Sequence, residues 1–128
     1  MNTLLIIEDD KFVGDMYARL FSLNGYEVKR AKNALEALDI LDKDDVLPSA
    51  IILDIHMPEM SGTEFLKNIK QNDNMKDIPI VVLTNSFYEE DEKKFLELGA
   101  DLFLIKIKNS NQDILEKVNK VLTEKSKI

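Results

Sequence analysis

The sequence contains no cysteine, and only four glycines, three prolines and one histidine occur in its 128 residues. Without cysteine no disulfide framework can form, which suits a reducing cytosol. A basic N-terminal segment and a long apolar run are also missing, so the sequence predicts neither a signal peptide nor a membrane span. We therefore expect a cytoplasmic protein.

Positive charge is also scarce, because 17 lysines and arginines face 24 aspartates and glutamates and leave a net charge of −7. A diffuse acidic surface repels a phosphate backbone, so we expect no direct binding of nucleic acid. The lysines of the C-terminal segment alternate with acidic residues and form no basic patch. With 45% hydrophobic and 32% charged residues, the chain is typical of one globular domain, which we expect over residues 1–128.

Short apolar runs alternate with amphipathic segments along the whole chain. Five runs are predicted as strands: LLII, YEVKRA (a probable edge strand), AIILDI, IVVLT and DLFLIK. Five segments are predicted as helices, the last from about Ser110 to Glu124: KFVGDMYARLFSL, NALEALDILDKD, TEFLKNIKQ, YEEDEKKFLELG and the C-terminal segment. This alternation predicts a parallel sheet covered by helices on both faces, with right-handed crossovers.

Local signals place the ends and the buried sides of these helices. Asn33 is a candidate N-cap, and glycine follows the first helix at Asn24-Gly25 and the fourth at Gly99. In the first helix, apolar residues recur at helical spacing at Val13, Met16, Tyr17, Leu20 and Leu23. In the second helix, we expect Leu35, Leu38 and Leu41 to face inward.

Polar residues follow four of the five predicted strands: Glu8-Asp9-Asp10, Asp54, Thr84 and Lys106. Because ligands of such sheets bind at the carboxyl ends of the strands, we expect these side chains to lie close together. Each alone has an ordinary explanation, since such an aspartate is commonly a cap and such a lysine commonly reaches water. Together, hard oxygen ligands, a hydroxyl and an amine suit Mg²⁺ and a phosphoryl group.

The segments LLIIEDD, IILDIHMPEMSG, VVLTN and GADLFLIK occur in this order and cover nearly the whole chain. In order and spacing they resemble the response-regulator receiver domains of two-component signalling, of the single-domain, chemotaxis-regulator type. The resemblance implies a doubly wound, flavodoxin-like α/β fold with five parallel strands in the order 2-1-3-4-5. It also implies a phosphorylation switch and not a conventional enzyme: the chain would catalyse only its own phosphotransfer and slow autodephosphorylation. The phosphoryl donor would be a sensor histidine kinase or a histidine phosphotransfer protein, and the output a changed affinity for a downstream protein.

The resemblance assigns the acidic residues to an acceptor and a metal site. Asp54 would be the nucleophile that becomes 4-aspartylphosphate. Glu8, Asp9, Asp54 and the backbone carbonyl of His56 would hold Mg²⁺. Asp10 falls outside the acidic pair of the family, so we assign it to the start of the first helix, where negative charge is favourable.

The remaining implied roles belong to contacts with the phosphoryl group. Lys106 would pair with it, and Thr84 would move to donate a hydrogen bond to it. Phe103 occupies the aromatic switch position of the family, and a plain core phenylalanine is the alternative interpretation. The positions of His56 and Ser86, each two residues after a site residue, suggest a further role that the resemblance does not supply: they would flank the path of water and tune the rate of dephosphorylation.

The residue after the lysine departs from the family pattern, because many receivers have proline there, often after a cis peptide bond, and this chain has Ile107. A cis bond without proline costs about 2.5–4 kcal/mol. The sequence therefore predicts a trans Lys106–Ile107 peptide and a different path for the loop after the fifth strand.

Other functions fit the sequence less well. A phosphorylation-independent binding module with the same fold is the main alternative, but it would have lost the acceptor, the metal carboxylates, the threonine or the lysine. An FMN carrier needs a phosphate loop rich in glycine, serine and threonine where this chain has EDDKF. A haloacid-dehalogenase-like phosphatase expects a second aspartate two residues after the nucleophile, where His56 stands.

Overall fold

A parallel sheet of five strands forms the centre of the structure. The computed structural model describes residues 2–55, 60–85 and 88–125. Within these ranges the strands pair in the order β2-β1-β3-β4-β5, and every pairing is parallel. The strands are β1 (Thr3–Ile7), β2 (Glu27–Ala31), β3 (Ala50–Leu53), β4 (Ile80–Thr84) and β5 (Leu102–Ile105). The predicted fold class, the strand order and the edge position of β2 are confirmed.

A helix follows each strand, as the alternating pattern predicts. The helices are α1 (Lys11–Leu23), α2 (Ala34–Lys43), α3 (Gly62–Gln71), α4 (Glu89–Glu97) and α5 (Asn111–Lys125). In the part of the chain that the structure describes, none of them is long and apolar enough to cross a bilayer.

The core has two layers, one on each face of the sheet. Alternate residues of a strand point to opposite faces, so Leu5 and Ile7 lie in one layer and Leu4 and Ile6 in the other. The first layer is closed by α2, α3 and α4, and the second by α1 and α5. Strands buried on both faces explain why the central runs are continuously apolar.

The buried side of α2 differs from the prediction at Leu35, and two of the apolar residues at helical spacing in α1 are exposed as well. Leu35 is 48% exposed, Met16 is 46% exposed and Leu23 is 74% exposed. The buried stripes pass instead through Ala34, Ala37 and Leu41 in α2 and through Gly14, Tyr17 and Phe21 in α1. These stripes consist largely of small or aromatic residues at positions i, i+3 and i+7, so helical phase decides which side is buried, and not side-chain hydrophobicity alone.

Asp10 begins helix α1. Its carboxylate accepts hydrogen bonds from the backbone N–H groups of Phe12, over 2.9 Å, and Val13, over 3.1 Å. Two of the N–H groups that have no partner inside the helix are thereby satisfied, and the negative charge lies at the positive end of the helix dipole. The assignment of the third acidic residue to the helix, apart from the acidic pair, is confirmed.

The other predicted helix ends are confirmed as well. Asn33 accepts a hydrogen bond from the backbone N–H of Glu36 over 2.8 Å and caps α2. Gly25 and Gly99 follow α1 and α4 with φ angles of 93° and 111°. Such positive φ angles are strained for residues with a Cβ atom, which explains glycine at both helix ends.

The connection after β5 contains a feature that the sequence did not indicate. One turn of 3₁₀ helix runs from Lys106 to Lys108 and separates β5 from α5. No cis peptide bond occurs among the described residues, so the Lys106–Ile107 bond is trans, as predicted. The chain turns here with the side chain of Ile107 68% exposed.

Removing the Asp10 cap is expected to cost about 1 kcal/mol of the free energy of unfolding. Asp10→Ala leaves the N–H groups of Phe12 and Val13 without this partner, whereas Asp10→Asn keeps the cap. Urea unfolding of the three proteins measures the difference. An Asp10→Ala protein as stable as the wild type would contradict the role of the cap.

Candidate functional site

Three carboxylates meet at the C-terminal edge of the sheet. Glu8 and Asp9 follow β1, and Asp54 follows β3. These strands are hydrogen-bonded neighbours in which Ile7 pairs with Leu53. One carboxylate oxygen from each of the three acidic residues lies within 4.8 Å of the other two. The two acidic segments, whose nearest members Asp9 and Asp54 are 45 positions apart in the sequence, therefore form one cluster.

A hydroxyl and an ammonium reach the same cluster from β4 and β5. Thr84, which is fully buried, donates from Oγ1 to Asp54 Oδ1 over 3.3 Å. Lys106 donates from Nζ to Glu8 Oε1 over 2.5 Å and to Asp54 Oδ2 over 3.3 Å. The structure thus brings together polar residues at the C-terminal ends of four of the strands, as expected from the parallel topology.

The cluster is partly buried and carries more negative than positive charge. The side chains of Lys106, Glu8 and Asp54 are 11%, 5% and 12% exposed, whereas Asp9 is exposed. Three carboxylates therefore face one ammonium at this point of the described structure. Two carboxylates 4.8 Å apart repel by about 3 kcal/mol at an effective dielectric constant of 20. A further cation would relieve this repulsion.

The protonation of Glu8 reflects this shortage of positive charge. Burial, with the neighbouring Asp54 carboxylate, raises the pKa of Glu8 to about 7, although Lys106 acts in the opposite direction. Burial by itself would lower the pKa of Lys106, but the carboxylates of Glu8 and Asp54 outweigh it and raise that pKa. Lys106 is therefore a cation at neutral pH, and Glu8 holds a proton in part of the metal-free molecules.

The donor set fits a hard divalent cation. Glu8, Asp9 and Asp54 offer only oxygen ligands, and the exposed carboxylate of Asp9 gives an ion access from solvent. Mg²⁺ is commonly bound by one or two carboxylates and keeps several of its waters. These three residues could therefore hold a metal ion. The carbonyl of His56, the other predicted ligand, lies outside the described residues, as does Ser86.

Phe103 is buried, with 8% exposure. Its ring lies in the core layer closed by α4, and its centroid is 6.4 Å from that of Phe95. The core position agrees with the plain structural interpretation and also with the inward position of a switch residue. Its role as a switch stays a prediction.

Tyr17 is the residue near the site that the sequence did not identify. Its ring centroid lies 5.9 Å from Lys106 Nζ, and the residue is 5% exposed. Burial raises the pKa of the phenol, so the ring is neutral at physiological pH. Because Tyr17 fits the apolar spacing of α1, its pattern in the sequence is that of any core residue.

Neutralising Asp54 is expected to stabilise the metal-free protein. Asp54→Asn removes the repulsion with Glu8 and Asp9, and loses part of the attraction to Lys106, so we expect a net gain of about 1–2 kcal/mol in EDTA. Millimolar Mg²⁺ should raise the melting temperature of the wild type, because it binds only the folded site, and should raise that of the variant much less.

Thermal melts of both proteins in EDTA and in Mg²⁺ measure these effects, and Asp45→Asn, a change of an exposed aspartate in the loop before β3, is the matched control. A variant that is no more stable than the wild type in EDTA and is equally stabilised by Mg²⁺ would refute a shared acidic site.

The raised pKa of Glu8 predicts a stability that falls with rising pH. The folded state keeps the Glu8 proton up to a pKa of about 7, whereas the ordinary value is 4.5. The unfolded chain therefore releases this proton first, and its stabilising effect is complete below pH 4.5 and is lost as the pH rises through 7. In EDTA, the difference in unfolding free energy between Glu8→Gln and the wild type should grow by about 1 kcal/mol or more from pH 5 to pH 8. Urea unfolding across this range measures it, and a constant difference would contradict the raised pKa.

Comparison with known proteins identifies the family. Residues 4–119 match the family described as the response regulator receiver domain. The chain is 32% identical over 104 residues to the polar-differentiation response regulator DivK of Brucella anthropi, covering 81% of this chain and 83% of DivK. It is 38% identical over 128 residues to the response regulator SaeR of Staphylococcus epidermidis, covering 99% of this chain and 53% of SaeR. The chain thus spans about half the length of SaeR.

A solved structure gives the same result for the fold. The CheY-like response regulator receiver domain protein of Methanospirillum hungatei superposes with a TM-score of 0.88 at 28% identity, covering 99% of this chain and 98% of that one. The family match over residues 4–119, the strand order and the cluster at the strand ends all agree. This chain belongs to the receiver domains of two-component response regulators.

Proposed function

We propose that this chain is a phosphorylation-dependent switch, formed as one domain by residues 1–128, in which Asp54 accepts a phosphoryl group. The proposal rests on the groups that surround the Asp54 carboxylate. One of its oxygens accepts from the Thr84 hydroxyl and the other from the Lys106 ammonium, each over 3.3 Å. Two further carboxylates lie close enough to share a cation with it. A nucleophile, a hydroxyl, an ammonium and a metal site are the components that phosphoryl transfer requires.

The proposed donor is the phosphohistidine of a sensor histidine kinase or of a histidine phosphotransfer protein. An oxygen of Asp54 attacks phosphorus, a new oxygen–phosphorus bond forms, and the phosphorus–nitrogen bond to the histidine breaks. The electron pair of that bond returns to the imidazole. Glu8 and Asp9, together with Asp54 and the carbonyl of His56, would hold Mg²⁺. When bound, Mg²⁺ supplies positive charge that offsets the charge on the phosphoryl oxygens.

Lys106 and Thr84 change partners in the proposed reaction. Both contact Asp54 in the unmodified protein, so both lie within reach of a group attached to that carboxylate. Lys106 pairs with one phosphoryl oxygen, and the hydroxyl of Thr84 turns to donate to another. The result is a modified site whose new negative charge is balanced by contacts that already exist nearby.

The proposed output is a changed affinity for a downstream protein in the cytoplasm, without direct binding of nucleic acid or membrane. Phe103 is the proposed aromatic switch, and it packs against Phe95 of α4. His56 and Ser86 are proposed to tune slow autodephosphorylation. A phosphorylation-independent binding module is not favoured, because Thr84 and Lys106 both contact Asp54 directly.

Labelling with acetyl phosphate tests the proposal. Intact-mass spectrometry should show one phosphoryl group on the wild type in Mg²⁺, none in excess EDTA and none on Asp54→Asn. The metal is required because the incoming dianion is otherwise repelled by Glu8, Asp9 and Asp54. Asp10→Asn is the matched control, since it neutralises an adjacent carboxylate that caps α1, and it should be labelled like the wild type. Equal labelling in EDTA, or labelling of Asp54→Asn, would refute the proposal.

A further inference from the structure

The Lys106 ammonium has defined neighbours on three sides. Glu8 Oε1 accepts from it over 2.5 Å and Asp54 Oδ2 over 3.3 Å. On a third side the centroid of the Tyr17 ring lies 5.9 Å from Nζ. The face of an aromatic ring carries negative charge density and attracts a cation within about 6 Å of its centroid, more strongly when the pair is shielded from water. The side chain of Lys106 is 11% exposed, so this condition is met.

Tyr17 is held rigidly enough to act as a fixed support. It lies in α1, is 5% exposed, and belongs to the core layer that α1 and α5 close over β1, β3, β4 and β5. Asp10, the cap of α1, directly follows the acidic pair in the sequence. The ring is therefore joined to Glu8 by one short segment, whose helix begins at the Asp10 cap.

We propose that Tyr17 is a positioning residue for Lys106, and that its ring holds the ammonium where it can pair with the phosphoryl group of the modified site. The inference rests on the proposed function of Asp54. It adds Tyr17, a side chain of α1, to a site that is otherwise formed by residues at the ends of the strands. Tyr17 acts only through its effect on the position of Lys106.

The ring differs from the two carboxylates in how it responds to the reaction. Mg²⁺ neutralises part of the charge of Glu8 and Asp54, and phosphorylation converts the Asp54 carboxylate into an acyl phosphate. The first change weakens the attraction of both carboxylates for Lys106, and the second moves the negative charge of residue 54 from the carboxylate to the phosphoryl oxygens. The attraction of the neutral Tyr17 ring depends on neither change, so it is the contact that persists while the ammonium changes partners.

Two substitutions of Tyr17 distinguish the effect of the aromatic ring from the effects of side-chain size and of the hydroxyl, and a third variant is the control. Tyr17→Phe keeps the ring, Tyr17→Leu keeps an apolar side chain without the ring, and Tyr26→Leu is the matched control. Tyr26 is also a buried tyrosine of the same core layer, but it precedes β2 and lies at the opposite end of the parallel strands, where its hydroxyl donates to Asn119.

Phosphoramidate with saturating Mg²⁺ is the probe, and the rate constant of phosphorylation is measured apart from the apparent dissociation constant of the donor. We expect Tyr17→Leu to lower the rate constant about three- to tenfold. Tyr17→Phe should stay within about twofold of the wild type. Tyr26→Leu should lose stability but keep the wild-type rate constant, because it removes core packing far from Lys106.

Two further measurements report on the Tyr17 ring itself. A series of increasingly fluorinated phenylalanines at position 17 removes charge density from the ring face at nearly constant shape, and the rate constant should fall with each added fluorine. In the metal-free protein, the NMR signals of the Lys106 side-chain ammonium should carry a ring-current shift that Tyr17→Phe keeps and Tyr17→Leu removes.

The outcomes distinguish the inference from the proposed function. A wild-type rate constant in Tyr17→Leu or no trend across the fluorinated series would overturn the positioning role while leaving Asp54 as the acceptor. A wild type that takes up no phosphoryl group would overturn the proposed function and, with it, the effect of Tyr17 on the rate. In that case the ring-current shift still decides whether Tyr17 positions Lys106.

Discussion

The ion pairs of the Lys106 ammonium with the buried carboxylate of Glu8 and the half-buried carboxylate of Asp54 are the interaction on which the rest of the site depends. Glu8 follows β1 and Lys106 follows β5, and two strands lie between them, so at a spacing of about 4.8 Å per strand their backbones are roughly 14 Å apart. Two long side chains must therefore extend toward each other across the ends of β3 and β4, where Asp54 and Thr84 stand. This distance explains why Glu8, the most deeply buried of the three acidic residues, is a glutamate, because its extra methylene lengthens the side chain. It also explains why the cation is a lysine, whose side chain is long and unbranched.

The packing of the remainder of the fold offsets the electrostatic repulsion within this site. Three carboxylates around one ammonium repel one another, and a buried carboxylate such as Glu8 responds by holding its proton to higher pH. The strands that place these charges are buried on both faces, and their side chains contribute to both core layers. Local repulsion at a site built on rigid, well-packed strands is typical of binding sites, since the packing holds the charges together until a cation arrives.

Much of this structure is predictable from the sequence, and what is not predictable has a common cause. Continuous apolar runs, glycine after helices and polar residues after strands predict the strands, the helix ends and the acidic cluster. The strand order is predicted instead by the resemblance to receiver domains, because no local pattern determines which strands are neighbours. The exposure of Leu35 depends instead on the rotation of α2 about its axis, which is set by packing against the sheet. The contact of Tyr17 with Lys106 and the 3₁₀ turn after β5 likewise depend on tertiary packing, and no local pattern distinguishes Tyr17 from an ordinary core residue.

Strand β5 connects the site with both core layers. Phe103 points into the layer closed by α4 and Leu104 into the layer closed by α1 and α5, and Lys106 follows two residues later. Thr84, the last residue of β4, pairs with Ile105, so the hydroxyl and the ammonium of the site are attached to adjacent strands in fixed register. In the proposed switch, Lys106 is steadied from the α1 side by Tyr17 while Phe103 contacts Phe95 of α4. When the ends of β4 and β5 move in the proposed switch, the contact with Tyr17 resists movement on the α1 side. The movement is therefore transmitted to the opposite face of the sheet, where α4 packs.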